Sequence, residues 1–124
     1  MTRMNRAETA RRIIGCCFAV HRERGPGSPE KVYQKALECA LEKAGIECER
    51  TRRFQVSLQG IQVGDVEADV VVEKDAVVEV KAVVGVMPKI CEAPWLAYLK
   101  ASRAPIDLRV NVGNRSCHIK RFVI

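Results

Sequence analysis

Aromatic side chains are scarce in this chain of 124 residues: three Phe, two Tyr and one Trp. A surface that grips single strands by stacking bases on successive rings is therefore not indicated. Long apolar runs are missing too. The longest, Ile13 to Val20, falls far short of the ~20 residues that a bilayer-spanning helix needs. Arg11 and Arg12 precede it as in a secretory signal, but it ends in His21-Arg22-Glu23-Arg24, with no small-x-small cleavage site. The absence of periodic Gly or Pro excludes collagen-like and linker material. Cys16, Cys17, Cys39, Cys48, Cys91 and Cys117 form no C-x2-C pair and no framework-like spacing, which disfavours zinc, iron-sulfur and disulfide scaffolds. The expectation is a chain in a reducing cytoplasm, with no membrane partner.

What is present is 48% apolar residues, too many for disorder, on a length usual for one domain, here residues 1–124. From about Ala7 to Arg24, Ala10, Ile13, Ile14, Cys17 and His21 recur at the spacing of a helix with one buried side. Gly25-Pro26-Gly27 stops it. A second helix is expected with Ser28 as N-cap and Pro29 at its first position, running to Ala44 and burying Tyr33, Leu37, Ala40 and Leu41. The period then changes. Phe54, Val56 and Leu58 alternate with polar residues, as in a half-buried strand near a sheet edge. Turn-like residues Gly60 to Asp65 precede two denser strands, Val66 to Glu73 and Ala76 to Val84. A helical segment around Pro88 to Ala101 follows, then strands over Ile106 to Val112 and Cys117 to Val123. The order predicts an α/β (α+β) domain with a mixed central sheet flanked by helices.

Charges on faces that should be buried are the informative ones, because each is costly unless paired, protonated or bound to a cation. Glu79 and Lys81 share a strand face with Val77 and Val83. Asp69 lies on the neighbouring strand, and the loop between the strands decides whether the two acids meet. A two-residue loop would set Asp69 opposite Val80, whereas three residues, or one bulge, set it opposite Glu79; the second arrangement is expected. Glu30 is the fourth unusual charge. It falls on the side of Tyr33 and Leu37 in the first turn of its helix, where the dipole alone would favour it by roughly 0.3 to 1 kcal/mol. Two or three carboxylates beside an ammonium suit a hard divalent cation that takes its remaining ligands from water and phosphate. Phosphodiester hydrolysis follows naturally from such a set. A salt-bridge cluster at a strand end is the commoner origin of such a grouping.

Asp69 followed by Glu79-Val80-Lys81 resembles the D-(x)n-E-x-K signature of the PD-(D/E)xK nuclease superfamily. Gly27-Ser28-Pro29-Glu30-Lys31-Val32-Tyr33 resembles the G-x-x-E-x-x-Y pattern that names a family of small bacterial proteins within it. Val20-His21, Ala68-Asp69, Tyr98-Leu99-Lys100, Asn111-Val112-Gly113 and Ile119-Lys120-Arg121-Phe122 extend the likeness over nearly the whole chain. The resemblance implies a restriction-endonuclease-like αβββαβ core, with Asp69, Glu79 and the Val80 carbonyl as ligands of Mg2+ (or Mn2+). It implies Lys81 as the catalytic lysine and Glu30 as an extra acid delivered by the helix. Tyr33 reads as core packing with a polar tip, and His21 as an imidazole meeting the last carbonyls of its helix. One departure stands out: Cys91 and Pro94 occupy the positions of the family's His-x-x-Gln run, which would impair catalysis.

Residues 1–24 carry +4, residues 25–99 carry −3 and residues 100–124 carry +5 within a net charge of +6. Basic ends around an acidic middle suit a polyanion, nucleic acid and DNA first, while an ordinary solubilising surface would look the same. A homodimer is compatible with the sequence. The expected activity is metal-dependent nucleic-acid hydrolysis; its rivals are a binding module without turnover and an interaction subunit that keeps only the fold.

Overall fold

The computed structural model describes residues 5–73, 75–87 and 105–123. Helix α1 spans Arg6–Arg24 and starts where the Asn5 side chain accepts from the Glu8 N–H at 2.9 Å. It buries Thr9, Ala10, Ile13, Cys17, Val20 and His21, while Ile14 is only half-buried. Helix α2, Glu30–Lys43, buries Tyr33, Leu37 and Leu41. Among the described residues no helix is long and apolar enough to cross a membrane.

The start of α2 corrects one expectation. Pro29, not Ser28, is the N-cap, with φ of −58° and ψ of 148° and no side-chain cap bond. The Ser28 hydroxyl instead accepts from Arg24 at 3.4 Å. The preceding loop needs its glycines, since Gly25 and Gly27 have φ of 68° and 100°, a region that side chains with a Cβ rarely enter.

Five strands follow: β1 Cys48–Leu58, β2 Ile61–Val72, β3 Ala76–Lys81, β4 Ile106–Asn111 and β5 His118–Val123. They form one sheet in the order β1-β2-β3-β4-β5, antiparallel throughout except for the parallel pair β3/β4. This is the mixed α+β architecture expected from the element order. The parallel pair requires a crossover between β3 and β4. The predicted helix at Pro88 to Ala101, and with it Cys91 and Pro94, lies outside the described residues.

Two strand limits differ from expectation. Strand β2 begins at Ile61, because Gln59 and Gly60, with φ of 51° and 80°, make the whole turn between the paired residues Leu58 and Ile61. Gly64 and Asp65, which look like turn residues, are paired within the hairpin. Strand β3 stops at Lys81 rather than Val84.

One sheet face packs under both helices. Val70, Val72, Val78, Val80, Leu108 and Val110 join Ile13, Tyr33, Leu37 and Leu41 in the main core, each burying a side chain worth roughly 1.5 to 3 kcal/mol. The other face of β3 and β4 is buried as well, yet it carries Glu79, Asp107, Arg109 and Asn111. That face carries the candidate site.

Candidate active site

The loop between β2 and β3 decides the site. Val72 pairs with Ala76 across three residues, Glu73 to Asp75, and Glu73 takes a φ of 48° to complete the turn. The register Val70↔Val78 and Val71↔Val77 then sets Asp69 across from Glu79, as the sequence predicted. Residues directly opposite in an antiparallel pair share a face, so both carboxylates point the same way.

At that point β2 and β3 part, and side chains take over the ladder. The Asp69 N–H donates to Glu79 Oε1 at 3.2 Å, and the Val80 N–H donates to Asp69 Oδ2 at 2.8 Å. Each acid thus satisfies an amide that a paired strand would otherwise have bonded. Strand β1 is also irregular here: Thr51, across from Asp69, has a φ of 58°, unusual for a β-branched residue and costing of order 1 to 3 kcal/mol.

Burial and mutual repulsion set the protonation of the pair. Glu79 is 3% exposed. Its desolvation first, and then the charge of Asp69, push its pKa up to about 9. Burial also raises the pKa of Asp69, opposed by the Val80 amide, by its hydrogen bond with Glu79 and by the nearby Lys81 ammonium. At neutral pH Glu79 therefore keeps its proton.

Helix α2 brings in the third acid. The Glu30 carboxylate accepts from the Ala82 N–H at 3.1 Å, just past Lys81, and its charge reaches Asp69. One turn further, the buried Tyr33 hydroxyl donates to the Gly25 carbonyl. The G-x-x-E-x-x-Y spacing thereby gains a physical meaning. Gly27 permits the loop, Glu30 caps the segment after β3, and Tyr33, on the same helix face, pins the loop that aims Glu30. His21 differs from expectation: its Nε2 is 2.8 Å from the carbonyl of Asn114, in the loop before β5, rather than from its own helix's last carbonyls.

Sequence reasoning gave no role to the residues that fix the strand exit. Asn111 accepts from the Val83 N–H at 2.9 Å and donates to its carbonyl at 3.0 Å. Asn114 does the same for Gly85, at 2.7 and 2.8 Å. Between them, a Cβ on Gly113 would meet the Val83 backbone at 2.5 Å. The Asn-Val-Gly run is therefore a clamp on the chain leaving Lys81. Gly113→Ala is expected to push that chain away, lowering stability by roughly 1 to 3 kcal/mol; urea denaturation monitored by circular dichroism measures it.

The donor set fits a hard divalent cation. All its atoms are oxygens, and they come from two adjacent carboxylates. Among the described residues, no three His, Cys, Asp or Glu side chains gather closely enough to hold an ion alone. Mg2+ needs only one or two carboxylates when water and phosphate complete its shell.

No curated protein and no solved structure matches the chain. A family profile does match, over residues 7–122, nearly the whole sequence. Enzymes of that superfamily generally use divalent metals and act on nucleic acid. The fold, the paired acids and this match agree, and the chain belongs to the PD-(D/E)XK nuclease superfamily.

Proposed function

We propose that this protein is a metal-dependent nuclease, of the G-x-x-E-x-x-Y type within its superfamily, hydrolysing phosphodiester bonds in DNA. The observation that carries the reading is the convergence of Asp69 and Glu79 on one face at the β2/β3 fork, with Glu30 and Lys81 beside them. Asp69 and Glu79 would hold Mg2+ or Mn2+, joined by the Val80 carbonyl and, at the rim, by Glu30. Such an ion polarises a phosphate oxygen and makes bound water more acidic. Lys81 would orient the attacking water and offset the negative charge on the phosphoryl oxygens; as the water oxygen bonds to phosphorus, the bond to the sugar oxygen breaks, the attacking water loses a proton to solvent and the leaving sugar oxygen takes one up from solvent. Burial of Glu79 strengthens every one of these interactions by lowering the local dielectric.

Purified protein incubated with labelled DNA and Mg2+ or Mn2+ is expected to produce cleavage that a chelator abolishes. Salt-sensitive binding without cleavage would replace the reading with that of a binding module. Neither binding nor cleavage would leave only an interaction subunit with this fold.

A further inference from the structure

The exposed apolar tip of the β1/β2 hairpin, Leu58, Ile61 and Val63, shows nothing that says what covers it. The basic groove along Arg24, Lys31 and Lys35 is shallow, and Lys35 already pairs with Glu38 at 2.7 Å. A third feature goes further.

Arg109 lies in the middle of β4, 2% exposed, on the face that carries the carboxylates. Its Nε and Nη1 are buried and have no hydrogen-bond partner among the described residues. A buried guanidinium with unmet donors is expensive, and such groups point to a missing acceptor. Glu79 is its direct neighbour in the β3/β4 register, but Glu79 turns its Oε1 to Asp69. Arg109 also lines a cavity of about 240 Å3. Asn111, His118 and Lys120 form the cavity's remaining polar lining, and Val86, Met87 and Ile119 its apolar lining. The Asn111 amide is already engaged by Val83, and no carboxylate belongs to the described lining. The free capacity of this cavity is for an anion.

Register orders the charges. Asp69 stands across from Glu79, Glu79 from Arg109, and Arg109 from Lys120. Four neighbouring strands, each ~4.8 Å from the next, thus carry acid, acid, base, base along one line on one face. The acidic half repels phosphate unless a cation is present, whereas the basic half attracts it directly.

We propose that Arg109, supported by Lys120 and His118, forms a phosphate subsite that holds a backbone phosphate of the nucleic-acid strand next to the one at the carboxylates. The assignment to a substrate strand rests on the nuclease reading. Arg109 is here a binding residue: guanidinium donors match phosphate oxygens in geometry and stay charged at every working pH. Directional docking beside the acids fixes which bond lies over Asp69 and Glu79.

The test uses full-length protein with a chelator present, so that turnover plays no part. Inorganic phosphate is expected to raise the melting midpoint of wild type above that in chloride of equal ionic strength, and to leave Arg109→Met unmoved. Affinity of that variant for a fluorescein-labelled DNA duplex should fall about tenfold, and its log Kd against log salt slope by about 1. Because Met keeps the apolar stem and can still pack on the Phe122 ring that the guanidinium overlies at 6.0 Å, while it removes the unmet Nε and Nη1 donors, the variant should melt no lower than wild type in chloride. An Arg109 that merely balances the neighbouring Asp107 predicts the opposite, a lower midpoint with the phosphate response intact in the exposed Lys120→Gln. Should Arg109→Met fail to fold, Lys120→Gln carries the test, and an unchanged salt slope there overturns the subsite. Wild type that cleaves with Mg2+ while both variants keep its phosphate shift and slope also overturns the subsite, and leaves the nuclease reading standing. A phosphate response through Arg109 in a protein that never cleaves overturns the nuclease reading and keeps the anion site.

Discussion

Lys81→Ala is expected to lower metal-dependent cleavage by at least ~100-fold, the usual cost of removing one preorganised charge from a developing transition state. The fold should survive, because Lys81 ends β3 and its side chain is only half-buried. Metal affinity should change little, since the ligands proposed are oxygens of Asp69, Glu79, Val80 and Glu30. Asp69→Asn should abolish cleavage for another reason. The amide keeps the shape and can still accept from the Val80 N–H through its oxygen. It removes the ionisable carboxylate, and with it most of the attraction for a divalent ion. Single-turnover cleavage separates the wild type from both variants, and metal binding separates the two variants from each other. If Lys81→Ala cleaves as wild type does, the lysine has no part in the chemistry.

The second large effect is a pH dependence of metal-free stability that runs against the usual behaviour of acidic groups. Glu79 has an ordinary value of 4.5 and is raised to about 9 in the fold. Between those values the folded protein keeps a proton that the unfolded chain has released. Stability therefore falls as pH rises through this window, by up to about 1.4 kcal/mol per pH unit, and levels off above the folded value. Asp69, shifted in the same direction by burial, adds to the slope at its acid end. Glu79→Gln, which cannot ionise, should flatten the slope and be more stable than wild type near pH 8. Added Mg2+ should do the same for wild type, because the cation takes the proton's place and releases it. Urea denaturation at pH 6, 7 and 8, with chelator and with Mg2+, measures all three; a chelated wild type that gains stability with pH over that range would contradict the burial and coupling of Glu79.

The sequence made the site legible where short-range rules apply. Strand period narrowed Asp69 to two registers, opposite Val80 or opposite Glu79, and a three-residue turn realises the second, expected one through the left-handed Glu73. Glu30 was recognisable because its side of α2 is that of Tyr33. Turn chemistry misled where several candidates competed: Gln59-Gly60 makes the turn that Gly64 and Asp65 imitated, and Pro29 caps α2 in place of Ser28. The long-range features were invisible. Asp107, Arg109 and Asn111 alternate with Ile106, Leu108 and Val110 as on a half-exposed strand, yet both faces of β4 are buried. Only the sheet order puts β4 against β3, and only then do Arg109 and the Asn111 clamp come beside the carboxylates. No local pattern encodes that neighbour.

Calorimetric titration of Mn2+ into wild-type protein and into Asp69→Asn bears most directly on the pairing of these acids. A saturable heat near pH 8 in wild type, accompanied by proton release and lost in Asp69→Asn, is the result that a cation displacing the shared proton requires. Identical titrations of the two proteins, with or without heat, would contradict it.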